Sequence, residues 1–273
     1  MGEDKSFVYF AVSKRKELLK EIVISIQSYI EAHRFIRKHK LWKWIIIPGI
    51  IYAFLFAISM YFFSKSANAA IEWLSIETGL RGWLNKLENS WIGFLFTVGG
   101  IMLWLLLMLL YFSLFKYIWL IIGAPIFSYL SEKTASIIEN KTFDFKMKQY
   151  LSDVARGMRM AVRNTIWQTV YVFSIIILSL IPFIGWIAPF VAILIECYYY
   201  GFSMLDYSCE RNKMKTEESI YFIGRHRGLA IGNGIIFYLM HCIIIVGWVL
   251  APAYAVIAAT ISMQEIKDNK AFQ

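Results

Sequence analysis

Arg156, Arg159 and Arg163 recur at i, i+3 and i+7, a spacing that puts three guanidinium groups on one face of a helix. A small oxyanion needs such positive charge, with N–H donors, where water is scarce. Lys40 and Lys43 add cations ahead of one apolar run, and Arg225 and Arg227 stand ahead of another. A second source of donors is the backbone just after Gly185 and Gly247, where helices are expected to begin and the orphan amides and helix dipole favour an anion. The plainer alternatives stay open: cations flanking apolar runs also anchor to lipid headgroups, and a tip glycine also serves turn geometry.

Three ionisable residues fall within or beside apolar runs: Glu196, His241 and Lys116. At bilayer depth such groups usually face a bundle interior or a water-filled path. Glu196 reads either as a proton-coupled or gating carboxylate with His241 or Lys116 as partner, or as a neutral acid packed against Tyr198, Tyr199 and Tyr200. No catalytic constellation accompanies them. The sequence has no nucleophile elbow, Walker loop, paired histidines at zinc spacing, or glycine fingerprint following a strand, so neither an enzyme nor a cofactor is expected. Gly228, Gly232 and Gly234 resemble a nucleotide loop only superficially and more simply allow close helix packing.

Such residues require an apolar scaffold, and the composition supplies one. Of 273 residues 59% are hydrophobic and 17% aromatic, and the mean hydropathy is +0.55, well above a soluble domain. The chain is read as an integral membrane protein. Its net charge of +9 is a topology signal rather than a nucleic-acid footprint, because the basic residues cluster ahead of Trp44 and between apolar runs, without interleaved stacking aromatics. Cys197, Cys209 and Cys242 have neither metal nor disulfide-framework spacing.

The expected architecture is all-α. From about Ser13 to Arg37, Leu18, Ile22, Ile26, Tyr29 and Ile30 oppose Lys14, Lys16, Lys20 and Glu31, so residues 1–43 read as a cytoplasmic amphipathic arm lying at the interface. Residues 44–130 hold two transmembrane helices, Ile45 to Phe63 and Trp91 to Phe115, with Pro48 expected in the first turn and a bend or tilt expected near Gly123 and Pro125. Residues 131–273 read as two hairpins. Each turns through a tip without charge, Leu180 to Trp186 and Ile243 to Trp248, followed by Ala188-Pro189 or Ala251-Pro252. Tips with no polar residue suggest hairpins that penetrate the bilayer only partly. The positive-inside rule puts both termini and both hairpin bases in the cytoplasm, in a bacterial inner membrane as the simplest setting.

Four segments carry a resemblance: Gly123 to Lys133, Leu205-Asp206-Tyr207, Arg225 to Gly234, and Ala251 to Thr260. With the amphipathic arm and the Ile45-Ile46-Ile47-Pro48 start of the first spanning helix, they resemble the CysZ/EI24 family of membrane proteins over nearly the whole chain. The resemblance implies two spanning helices with two partly inserted hairpins as a single domain, assembled as a homo-oligomer. It also implies either sulfate uptake for cysteine synthesis, as in bacterial members, or the non-transporting membrane role of eukaryotic ones. Where the sulfate branch carries a Gly-Leu-Arg motif, this chain has Lys40-Leu41-Trp42-Lys43. A lysine lacks the planar fork of an arginine. The partners so implied are a lipid bilayer, a sulfate-like oxyanion and a second copy of the chain, with no nucleic acid.

Overall fold

The computed structural model describes residues 3–77, 91–140, 147–179, 181 and 184–271. They form eight helices: α1 (Glu3–His39), α2 (Trp42–Glu77), α3 (Trp91–Ile138), α4 (Met147–Ser179), α5 (Ile184–Arg211), α6 (Thr216–Arg225), α7 (Arg227–His241) and α8 (Val246–Ala271). No strand occurs among the described residues. This is the expected all-α membrane architecture.

Among the described residues, length and composition allow membrane crossing in four places: Trp42–Ser66, Val154–Ser179, Gly185–Arg211 and Val246–Asp268. The run from Trp91 that reads as a spanning helix does form a helix, but most of its side chains, Lys116 among them, lie outside the described residues. The turn residues 180 and 182–183 lie outside them as well.

The two hairpins are not copies of each other. The first arm of the first, α4, has 33 residues, about 50 Å at 1.5 Å per residue, and its partner α5 has 28. The first arm of the second, α7, has only 15 residues, about 22 Å, less than the roughly 30 Å of hydrocarbon. His226 causes the shortening: it ends α6 and starts α7 with φ −106° and ψ 49°, breaking what would otherwise be one longer helix.

Two compact units divide the chain. One comprises residues 1–53, 119–164 and 196–273. Its centre is α8, buried without interruption from Ala251 to Met263. Five alanines in that stretch let other helices approach closely, and α1 and α7 pack on α8 and on each other. The arm is therefore a packed element: Ile24, Ser25, Ser28, Tyr29, Ala32 and Ile36 are all buried, and Tyr29 Oη donates to the Asn233 carbonyl at 2.8 Å. Close approach is glycine-dependent here, as the spacing suggests. A Cβ at Gly228 would lie 2.4 Å from the Leu18 carbonyl oxygen, one at Gly234 2.0 Å from that of Cys197, and one at Gly201 1.9 Å from that of Ala230.

The other unit comprises residues 54–118 and 165–195. There α2 and α3 meet through Phe63 and Tyr111, with ring centroids 4.6 Å apart, and Tyr111 Oη donates to the Ser59 carbonyl at 2.9 Å. Ile175, Ala188 and Ala192 close α4 onto α5.

Burial sorts the helices by environment. In the most apolar stretches of Trp42–Ser66 and Val154–Ser179 only 22% of residues are buried, against 72% in Val246–Asp268. Ile47, Phe54, Phe62, Ile166 and Phe173 are among the exposed aliphatic and aromatic side chains, so these helices turn their apolar faces outward, as a lipid environment requires. Pro48 falls in the second turn of α2 rather than the first, because the helix begins at Trp42. Helix α3 runs through Gly123 and Pro125 to Ile138 as one element of 48 residues.

Candidate anion site and polar interior

The basic residues lie in three separate regions. Lys40 and Lys43 flank the α1–α2 junction, both exposed. Lys40 adopts φ 54°, in the left-handed region, and the turn closes through Leu41 N–H donating to the Ile36 carbonyl at 3.2 Å. Arg225 and Arg227 flank the His226 break and are also exposed. The Arg225 guanidinium sits 5.9 Å from the Tyr221 ring centroid, and Arg227 Nε donates to the Gly224 carbonyl at 2.9 Å.

The arginine face of α4 is shared between different tasks. Arg156 donates through Nη1 to the Met214 carbonyl, and through Nη2 to Asp206 Oδ1 at 3.2 Å and to Ser219 Oγ. Its side chain retains 15% exposure and that of Asp206 3%. This guanidinium ties α4 to α5, to the α5–α6 loop and to α6. Arg163 donates to Asn164 Oδ1 at 3.1 Å and lies 5.7 Å from the Phe202 ring centroid. Arg159 is exposed and donates to the carbonyl of Ala155, one turn back, at 3.4 Å.

Helices do begin at the two tips, and several of their early amides bond to backbone carbonyls. Gly185 N–H donates to the Ile181 carbonyl at 3.1 Å, Gly247 N–H to Ile243 at 2.8 Å and Val249 N–H to Ile245 at 3.0 Å. The glycines are there for contact: a Cβ at Gly185 would lie 2.5 Å from the Ser179 carbonyl oxygen, and one at Gly247 1.7 Å from that of Met240. Trp248 Nε1 donates to the His241 carbonyl at 3.1 Å.

Glu196 and His241 are both buried, and each meets a tyrosine. Tyr238 Oη donates to Glu196 Oε2 at 2.6 Å, and Tyr52 Oη shares a hydrogen bond with His241 Nε2 at 2.9 Å. Tyr200 and Phe237 stack between these pairs with centroids 3.6 Å apart, and the Phe237 centroid lies 4.3 Å from that of His241. Where α2, α5 and α7 meet there is thus a patch of aromatic rings with two polar hydrogen bonds embedded in it.

Two groups of polar residues escaped the sequence reading. Glu21, on the arm, accepts Gly228 N–H at 3.0 Å and His226 Nδ1 at 2.5 Å. A carboxylate of the protein therefore fills the N-terminus of α7. Among the hydroxyls, Thr260 Oγ1 lies 3.1 Å from Ser131 Oγ and 3.0 Å from Ser208 Oγ, joining α3, α5 and α8 in a buried cluster. Asn233 Nδ2 donates to the Ala255 carbonyl at 2.9 Å. These contacts link the segments on which the family resemblance rests. No group of three or more His, Cys, Asp or Glu residues able to hold a metal occurs among the described residues.

Comparison with known proteins agrees with this assignment of the segments. The sulfate transporter CysZ of Pseudomonas paraeruginosa is 26% identical over 194 residues, 69% of this chain and 78% of the relative. The sulfate transporter CysZ of Pseudomonas syringae pv. tomato is 27% identical over 173 residues, 63% and 68% of the two chains. The family model described as "Sulfate transporter CysZ/Etoposide-induced protein 2.4" matches residues 28–252, from the buried face of α1 to the start of α8, and the chain belongs to that family.

Proposed function

We propose that this protein carries a small inorganic oxyanion, sulfate in the first instance, across a bacterial inner membrane, with its N- and C-termini on the cytoplasmic side. The reading rests on one observation above all: family membership extends across the helices that build the membrane core, and the relatives named above are sulfate transporters. Of the residues singled out in the sequence, Lys40, Lys43, Arg159, Arg225 and Arg227 are exposed cations available to gather an anion. Arg163 is half-buried against Phe202, and Arg156 contributes by holding α4 in place. Glu196, His241 and Lys116 are the ionisable groups within the membrane that could couple or gate passage. Anion passage through a homo-oligomer fits the same reading.

A second reading, a membrane scaffold without transport, draws on a specific pair of contacts. Arg156 and the N-terminus of α7, two of the donors best suited to an anion, are spent on Asp206 and Glu21. Uptake of labelled sulfate by proteoliposomes decides between the two. The expected result is saturable uptake that falls in the Lys40→Gln/Lys43→Gln double variant; uptake no faster than in protein-free vesicles overturns the transport reading.

A further inference from the structure

Beside the α1–α2 junction, between the C-terminal turns of α1 and of α3, lies an open cleft of about 400 Å³. From α1 come Arg34, Lys38 and His39 together with Phe35, and α3 adds an aliphatic wall of Ile137 and Ile138. We infer that this cleft is a binding site for the headgroup of an anionic phospholipid, with the phosphodiester against Arg34 and Lys38 and the glycerol and first acyl carbons against the aliphatic wall.

Position supports a lipid. The membrane-length stretch of α2 begins at Trp42, three residues beyond His39. Trp44 is half exposed and packs on Tyr129 with centroids 4.5 Å apart, in the manner of aromatics at the boundary between headgroups and hydrocarbon. The cleft therefore sits at headgroup level. A free oxyanion would make no use of three apolar side chains, whereas a phospholipid brings hydrocarbon to them.

Charge supports a monoanion. Partial burial, and then the neighbouring Lys38, lower the His39 pKa, leaving the imidazole neutral at pH 7. Glu31 also lines the cleft. Arg34 and Lys38 less Glu31 give a net charge of +1, which one phosphodiester neutralises and a sulfate dianion would overcompensate. Glu31 also offers an acceptor for the hydroxyls of a glycerol headgroup. Each cation near an anionic surface contributes about fivefold in affinity.

The test uses the full-length protein in a neutral detergent, with binding of phosphatidylglycerol or phosphatidylcholine followed by native mass spectrometry and by the rise in melting temperature. Phosphatidylglycerol is expected to be retained and to raise the melting temperature more than phosphatidylcholine does. Arg34→Gln/Lys38→Gln should weaken its binding about 25-fold. Ile137→Ser/Ile138→Ser, which leaves every charge in place, should weaken it as well. Melting in phosphatidylcholine alone reports whether each variant is folded. Equal retention of the two lipids, or undiminished phosphatidylglycerol binding by the folded charge variant, overturns the proposal. So does displacement of the lipid by millimolar sulfate or phosphate in the aliphatic-wall variant and the parent alike, which would make this a free-oxyanion site.

Discussion

Glu21 reaches across from α1 to accept the backbone N–H of Gly228, the second residue of α7, at 3.0 Å, and with its other oxygen it engages His226 at 2.5 Å. One side chain thus caps the short arm of the second hairpin and fixes the break that makes it short. Glu21→Ala should lower stability by about 1–2 kcal/mol, the usual value of a helix cap with a favourable dipole. Glu21→Gln should cost less, since its amide oxygen can still accept from Gly228. Thermal unfolding in detergent measures both; an alanine variant that melts with the parent would show the contact to be idle.

Some glycines touch backbone on a facing helix, and one stands in open space. Gly201→Ala and Gly234→Ala each place a methyl group about 2 Å from a carbonyl oxygen on a facing helix, and should cost about 2–3 kcal/mol through forced separation of α5 and α7. Gly224, in α6, has nothing within 4 Å of its would-be Cβ. Gly224→Ala should stabilise by about 0.5 kcal/mol through helix propensity. Equal melting temperatures for the three variants would contradict the packing described.

Arg156 and Arg159 lie on one helix but should respond differently. Arg156→Gln leaves Asp206 buried without its cation and two further acceptors short of a donor, a loss of about 3 kcal/mol. Arg159→Gln removes an exposed charge and should change stability by less than about 0.5 kcal/mol. Under the transport proposal the Arg159 variant should lose sulfate flux at unchanged melting temperature. Full flux in that variant would remove Arg159 from the anion path.

For Glu196 the tyrosine contact sharpens the test. Tyr238→Phe removes the donor at 2.6 Å and should destabilise by about 1–3 kcal/mol, the cost of a buried acceptor left short. Glu196→Gln keeps the shape and an acceptor oxygen and should leave the fold intact while flattening the pH dependence of flux. An unchanged pH profile in actively transporting vesicles would assign Glu196 to packing alone.

The helices were legible because their cause is local: an uncharged run such as Ile45 to Phe63 and the i, i+3, i+4 pattern from Leu18 to Ile30 announce themselves in a few turns. Gly228, Gly232 and Gly234 could likewise be read as packing residues, since a nucleotide loop needs a preceding strand and there is none. Partner choice was not legible. Asp206 and Glu21 look like ordinary charges in the sequence, and only the fold brings them to Arg156, 50 residues away, and to Gly228, 207 residues away. The unequal length of the two hairpins was hidden for a related reason. Their tips repeat in sequence, but the length of α7 is set by His226, whose capping carboxylate comes from the arm.

Helix α1 leaves the ribosome long before α8, yet they share a core. Tyr29 bonds to Asn233, 204 residues on, and His33 Nδ1 meets Tyr254 Oη, 221 residues on, at 2.7 Å. At about 5–20 residues per second, the arm must wait roughly 10–40 s for its counterpart. During that interval Tyr29, Ile36 and the glycine-matched groove around Ile22 and Ser25 have no protein to cover them. The membrane surface, for which the amphipathic pattern is also suited, is the natural place to wait, so one face of α1 serves biogenesis first and the finished core afterwards.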